Sequence, residues 1–335
     1  MEIRRVQITG GSSYSIILPK EWIKSSHIKK NDPLAFHIQS DGNLLLSPKI
    51  TPEQNPKIKE FDVSKISKPT FLFQLLIGAY IAGYTSIKIT APSRLSIAMR
   101  NVIRSFTQLS VGPEIIEETE TTILLKDLHN LTEMPFDQTI KRMYIIVKGM
   151  HEDVMRVLKN KDLFLVEDVL SRDNDVDRLH WFVSRQYNIL LQNTSLAEKM
   201  NITIGIASTY FLISRIIERI GDHIVRIAQN IPSLINNSLD KKIIEKIFFA
   251  STFSLDIFNN SVNSLFKRDI KASHETFESL IKLEKLCEEI NTLALQQKGI
   301  VAISIGYIVE SIRRTGEYAE DISENVINYL VAEEK

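Results

Sequence analysis

A single cysteine, Cys287, stands in 335 residues, so no internal disulfide framework is possible and the chain suits a reducing compartment. Glycine (12) and proline (10) are scarce, which argues against a many-turned β architecture and for long helices. Neither sign of charge is in excess: 41 Lys and Arg balance 41 Asp and Glu, so any basic surface must be local. No apolar leader opens the chain, because Glu2, Arg4 and Arg5 interrupt it at once, and a cytoplasmic protein is expected. Long apolar runs are also missing. Phe71–Tyr84 contains Gln74, and Ile202–Ile217 contains Ser208, Thr209, Ser214 and Arg215, so both read as core helices rather than membrane spans. An apolar content of 44% with 24% charged residues is that of an ordinary globular chain, and the length suits two or three domains.

The first fifty residues carry seven Lys or Arg against four Asp or Glu, a local balance of about +3. Apolar and polar residues alternate around Gly10-Gly11-Ser12-Ser13, predicting two short strands across a glycine turn. Pro19 opens a brief helix at Lys20–Ser26, and Asn31-Asp32-Pro33 marks a turn. Leu34–Gln39 and Asn43–Ser47 read as a hairpin around Ser40-Asp41-Gly42. This β-β-α-β-β unit holds little apolar material for a stable monomer. A polar, proline-containing linker is expected at 51–68, then an α/β segment at 69–130. That segment has a helix from Phe71, a strand at Ser86–Thr90, a helix at Arg94–Gln108 and a strand pair at Glu114–Glu118 and Thr121–Leu125. Ala91-Pro92-Ser93 lacks the glycines of a nucleotide-binding loop.

From Phe136 onward the apolar period is helical. Six helices are predicted, at 136–160, 162–193, 198–231, 239–267, 270–297 and 299–331, as two three-helix bundles at 131–234 and 235–335. Pro232-Ser233 and Asn236-Asn237-Ser238 mark the boundary. The fold class is therefore mainly α, behind a small β-rich N-terminal unit and a short α/β segment. A short cassette occurs twice in the bundles, about 95 residues apart: Glu218-Arg219-Ile220-Gly221-Asp222 and Arg313-Arg314-Thr315-Gly316-Glu317.

The cassette carries the chemistry. Asp173 and Asp177 are four apart and flank one apolar stripe; Glu218 and Asp222 flank another. Facing helices would bring the four carboxylates together, and such a group repels itself unless a cation or protons neutralise it. Hard oxygen donors suit Mg, Mn, Fe or Ca, and His180 is a candidate nitrogen donor. The plain alternative is a set of surface ion pairs with Arg215, Arg219 and Arg226. In the second bundle Glu284 and Glu288 align with Asp173 and Asp177, but Arg313 replaces Glu218 and leaves Glu317 alone. A weakened second site is expected, with Arg313 bridging Glu284 or Glu288. No nucleophile with an adjacent base is apparent, so no enzyme is expected; a metal-dependent phosphohydrolase is the remote alternative.

The duplicated array with these acid pairs resembles the PhoU family of phosphate-uptake regulators over roughly 130–335. The resemblance implies multinuclear metal sites, with Asp173, Asp177, Glu218 and Asp222 as ligands of the first, and Glu284, Glu288 and Glu317 as a degenerate second. It implies divalent or trivalent metal ions, Fe, Zn, Mg or Mn. The N-terminal run Ser15-Ile16-Ile17-Leu18-Pro19-Lys20-Glu21-Trp22 with Lys29-Lys30-Asn31-Asp32 is similar to the AbrB/SpoVT swapped-hairpin family, in which two chains interlace into one DNA-binding barrel. Asn31 stands where glycine is usual, and asparagine tolerates positive φ. Arg4, Arg5, Lys20, Lys24, Lys29 and Lys30 are the expected double-stranded DNA contacts. The order of segments resembles that of archaeal fused PhoU regulators. Together these imply a homodimeric, DNA-binding transcriptional regulator of phosphate uptake, sensing metal, phosphate or a partner. The alternative is an adaptor that acts on a phosphate transporter ATPase or a sensor without DNA.

Overall fold

The computed structural model describes residues 2–38, 42–48, 57–237 and 239–333. Ser40 and Asp41 of the predicted turn, Lys49, linker residues 51–56 and Ser238 lie outside the described residues. The chain divides into two units, Met1–Asn55 and Pro56–Lys335.

In the first unit, β1 (Gln7–Thr9) pairs antiparallel with β2 (Ser13–Ser15), placing Ile8 opposite Tyr14. Gly10 and Gly11 between them have φ of 65° and 87°, a conformation that glycine adopts without a Cβ clash. α1 (Lys20–Ser25) starts behind Pro19, and Asn31 takes the expected positive φ, 71°. β3 (Ala35–Ile38) and β4 (Leu44–Ser47) form a second antiparallel hairpin with Phe36 opposite Leu46. No described residue of this unit is buried. Ile3, Ile8, Tyr14 and Ile38 are 68–78% exposed.

The second unit opens with a strand where a linker was expected. β5 (Ile58–Asp62) lies parallel to β6 (Ser86–Thr90), and the chain between them forms α2 (Pro69–Ile81). α3 (Ile97–Gln108), β7 (Pro113–Glu118) and β8 (Thr122–Asp127) complete a four-stranded sheet of order β5-β6-β8-β7, antiparallel beyond β6. Leu72, Leu76, Ile87, Ile89, Ile103, Phe106, Ile123 and Leu125 form its core between sheet and helices.

The first bundle consists of α4 (Phe136–Asn160), α5 (Phe164–Leu190), a short α6 (Thr194–Lys199) and α7 (Ile204–Ile235). The second is α8 (Lys241–Lys267), α9 (Ile270–Ala294) and α10 (Ile300–Glu333). Two local corrections apply. The predicted helix at 198–231 is broken near its start: Asn193 caps α6, Thr203 caps α7, and Asn201 turns between them at a φ of 49°. Pro232 does not end α7, because in the last turn only one helical hydrogen bond is lost. α7 and α10 pack on each other at the centre; α4 and α5 flank α7, and α8 and α9 flank α10. Ile213, Ile217, Ile220, Ile224, Ile227 and Ile231 form the fully buried stripe of α7, each contributing roughly 1.5–3 kcal/mol of burial. Among the described residues, no helix is long and apolar enough to cross a membrane.

The α/β segment is docked on the first bundle. Phe73 of α2 meets Trp181 of α5 edge-on at 6.3 Å. One turn further along α5, Arg185 reaches Asp127 at the end of β8.

Candidate ligand site and nucleic-acid interface

The helical period sets the first site. Asp173 and Asp177 occupy successive turns of α5, and Glu218 and Asp222 successive turns of α7, beside the buried Val176 and Ile220. The helices lie close at Gly221 of α7, where a Cβ would make ordinary contacts, 3.5 Å from Asp173 Oδ1 and 3.7 Å from Val147 and Val176. The carboxylate of Asp173 therefore lies over the backbone of α7.

Asp173, Asp177 and Glu218 each feel the charge of a neighbouring acid. Asp177 is pushed up to about 7, first by burial and then by the charges of Asp173, Glu218 and Asp222. Asp173 rises to about 6 through burial and the charge of Asp222. Glu218 is raised by burial and by Asp222 against the opposing pull of Arg215 and Arg219; Asp222 is raised by burial against the same two arginines. Glu218 Oε2 is buried and has no hydrogen-bond partner, and Arg219 Nε is 3.8 Å from it, beyond hydrogen-bond reach. An all-oxygen group with a buried, unpartnered carboxylate oxygen fits a hard cation in donor type and charge. Among the described residues, no three His, Cys, Asp or Glu side chains already stand at metal-holding distance. The cluster is thus a group of strained acids rather than a closed cage. His180 does not join them: its Nδ1 lies 3.0 Å from Ser214 Oγ, its ring stacks on Phe211, and burial lowers it to about 4.

The second site is disposed differently. Glu284 is half-buried and Glu288 exposed on α9. Arg313 does not bridge to either. It binds Glu310 through Nη2 at 2.8 Å and also pairs with Glu317, both on its own helix. Arg314 holds the same two acids at 3.0 Å each. Spacings of three and four residues made these partners nearer than anything on α9. Glu317 is therefore taken up by two guanidiniums, while the raised acids of this bundle, Glu320 and Asp321, lie one turn further on.

In the N-terminal unit Arg4, Arg5, Lys20, Lys24, Lys29 and Lys30 are all exposed. Lys20 and Lys24 share one face of α1; Arg4 pairs with Glu2. The backbone N–H of Lys29 donates to Asp32 Oδ2 at 2.7 Å, shaping the turn that presents Lys29 and Lys30. Trp22 is half-buried.

Sequence reasoning missed Arg185. Its neighbours Ser184, Gln186 and Asn188 are polar too, so nothing in the local sequence marked it as a buried cation.

The helical region is of the PhoU fold. PhoU from Pseudomonas aeruginosa is similar at 15% identity with a TM-score of 0.53, over 59% of this chain and 95% of that one. The phosphate transport system regulatory protein PhoU from Streptococcus pneumoniae is similar at 16% identity with a TM-score of 0.50, over 61% and 96%. No curated protein matches the chain. Residues 140–231 match the PhoU domain, and residues 7–54 match the antidote-toxin recognition family MazE, bacterial antitoxin. The chain thus carries a PhoU domain in its first bundle behind a MazE/AbrB-like N-terminal domain, a combination that points to phosphate-uptake regulation and is compatible with DNA binding.

Proposed function

We propose that the protein is a cytoplasmic, DNA-binding transcriptional regulator of phosphate uptake, dimeric through its N-terminal unit. The carrying observation is that no described residue of this unit is buried and that Ile3, Ile8, Tyr14 and Ile38 are exposed. Two hairpins with no core of their own need a second copy to bury that surface. Pairing also doubles the set Arg4, Arg5, Lys20, Lys24, Lys29 and Lys30, the cations available to neutralise phosphates. Asp173, Asp177, Glu218 and Asp222 serve as the sensing site, where an oxygen-seeking ion such as Mg, Mn or Fe relieves their mutual repulsion. Ligand binding there and DNA binding at the N-terminus influence each other reciprocally.

The test is duplex binding by full-length protein and by the Arg4→Ala/Arg5→Ala variant, across a salt series and with Mn²⁺ present or chelated. Binding that weakens in the variant, with a shallower salt slope, and that responds to Mn²⁺ supports the reading. Equal binding by both proteins sinks it. The second reading is an adaptor that contacts a phosphate transporter ATPase or a sensor. It draws on the likeness to a structure named as a phosphate transport system regulatory protein. In that case the variant regulates phosphate uptake as well as the parent.

A further inference from the structure

The connections α4–α5, α7–α8 and α9–α10 lie at one end of the helical array. His151 of α4 meets Ser251 of α8, Arg226 of α7 lies over the ring of Tyr307 of α10, and Lys246 of α8 pairs with Glu289 of α9. From these contacts each helix runs on toward the same end for roughly 8–15 Å, at 1.5 Å per residue. Leu158 and Lys161 share a cleft of about 320 Å³ there with Ile235, Asn236 and Leu239, so the first two connections adjoin. The α/β segment docks elsewhere, on Trp181 and Arg185 in the second half of α5.

Two of these connections present large apolar side chains to solvent. Phe164 is 88% exposed, beside exposed Leu163. Leu295 is 85% exposed, and Ile300 and Ile303, three residues apart on one face of α10, are more than half exposed. Around them stand Lys159, Lys161, Lys241, Lys242 and Lys298, all exposed, against the acids Asp162 and Asp240. Both acids also cap backbone: Asp162 Oδ1 accepts from the N–H of Phe164 at 3.1 Å, and Asp240 Oδ1 from the N–H of Lys242 at 2.9 Å. A turn further in are Glu245, 3.7 Å from Lys241, and exposed Glu167. Counting those two as well leaves five cations against four acids, and the outermost positions hold five against two. Asp168 and Glu289, deeper still, are taken by Arg172 and Lys246.

We propose that this end of the array docks on an anionic lipid surface, with Phe164, Leu295 and Ile300 entering the interfacial layer and the lysines meeting the phosphate headgroups. Burial of apolar tips and attraction of lysines to anionic headgroups act together at such a surface. A plane accepts side chains that protrude from separate connections at one level. A helical protein partner is read instead by one continuous stripe or groove. A second copy meeting this end to end would set lysines against lysines. Among the described residues no helix is long and apolar enough to cross a membrane, so the attachment is peripheral and reversible. It uses neither the N-terminal cations nor the cluster of Asp173, Asp177, Glu218 and Asp222. Docking and the regulatory reading above can therefore fail separately.

The experiment is co-sedimentation of the full-length protein with vesicles of mixed phosphatidylglycerol and phosphatidylcholine, and with vesicles of phosphatidylcholine alone. The variants are Phe164→Ser/Leu295→Ser and Lys159→Gln/Lys298→Gln. Ile97→Ser is the control, because Ile97 is exposed to a similar degree but lies on α3. All five positions are exposed, and unchanged urea midpoints verify that the variants fold. The parent and the control are expected to bind the anionic vesicles, less so as salt rises. Partitioning should weaken about tenfold or more in the apolar variant and about fivefold or more in the lysine variant. No sedimentation with anionic vesicles overturns the proposal, as does equal partitioning of the apolar variant and the parent. Equal binding to phosphatidylcholine alone overturns the anionic assignment. An apolar variant that loses regulation in cells while the parent ignores vesicles points to a protein partner and overturns the lipid surface as well.

Discussion

Arg185 closes on Asp127 with two nitrogens on one carboxylate oxygen, Nε at 3.0 Å and Nη2 at 2.6 Å, and its third nitrogen binds the carbonyl of Tyr80. The guanidinium is 1% exposed and stands 4.8 Å from the Tyr80 ring. One side chain of α5 thus ties β8 and α2 to the bundle. Removing one partner of such a pair leaves a buried, uncompensated charge. Asp127→Ala is expected to destabilise the protein by about 3–5 kcal/mol in urea denaturation, and the double change Asp127→Ala/Arg185→Met by clearly less. A smaller loss in the single variant than in the double variant contradicts this account.

The same helix carries Asp177 two turns earlier, where the sign of a charge effect is reversed. Its carboxyl holds a proton up to about pH 7 when folded, against an ordinary value of 3.8 in the unfolded chain. Between those values the folded state binds the extra proton. Stability from this group therefore falls as pH rises through the window, and the full deficit applies above pH 7. With metal chelated, Asp177→Asn should raise stability at pH 8 by about 1–2 kcal/mol, a figure discounted because the group is partly exposed, and should give no gain near pH 4. Urea midpoints at the two pH values decide it.

His151 behaves in the opposite sense. Its Nε2 joins α4 to Ser251 of α8, 2.7 Å from Oγ, and burial lowers it from 6.5 to about 4. The unfolded chain gains a proton below pH 6.5 that the folded protein refuses until about pH 4, so stability is lost as pH falls across that range. His151→Gln removes the titration and should flatten the pH dependence there by roughly 2–3 kcal/mol. An unchanged slope between pH 6.5 and 4 rules the mechanism out.

The exposed apolar residues of the first unit make a prediction about association. Ile38 is 78% exposed in the single chain, opposite Leu44 in the second hairpin. Ile38→Asp should convert a dimer to monomer in sedimentation and weaken duplex binding with it, because burying an unpaired carboxylate costs several kcal/mol. A dimer of undiminished affinity in this variant contradicts assembly through that face.

What the sequence made legible follows from which interactions are periodic. The long helices were readable because stripes such as Ile213, Ile217, Ile220, Ile224 and Ile227 repeat on one face for many turns. The strand Ile58–Asp62 was not, because Ile58 and Phe61 are three apart and break a period of two; its pairing with β6 comes from distant residues. Asp173, Asp177, Glu218 and Asp222 stood out by spacing alone. The pair of Arg185 with Asp127 spans 58 residues and left no local pattern. For Arg313, Glu310 and Glu317 were legible at three and four residues' distance, and the expected reach across to α9 overlooked the nearer partners.

The two cassette glycines carry that contrast into packing. A Cβ on Gly221 would make ordinary contacts, 3.5 Å to Asp173 Oδ1 and 3.7 Å to two valines, and alanine is worth about 1 kcal/mol over glycine inside a helix. A Cβ on Gly316 would stand 2.3 Å from Leu283 Cδ2 and 3.2 Å from Leu280 Cδ1, and Leu283 is fully buried. The Leu283 methyl must shift within a packed core to make room. Gly316→Ala is therefore expected to cost about 1–3 kcal/mol, whereas Gly221→Ala should be neutral or mildly stabilising. Thermal or urea unfolding of the two variants tests this directly. Equal losses would mean that α9 packs no closer to α10 than α5 packs to α7 at the repeated glycine.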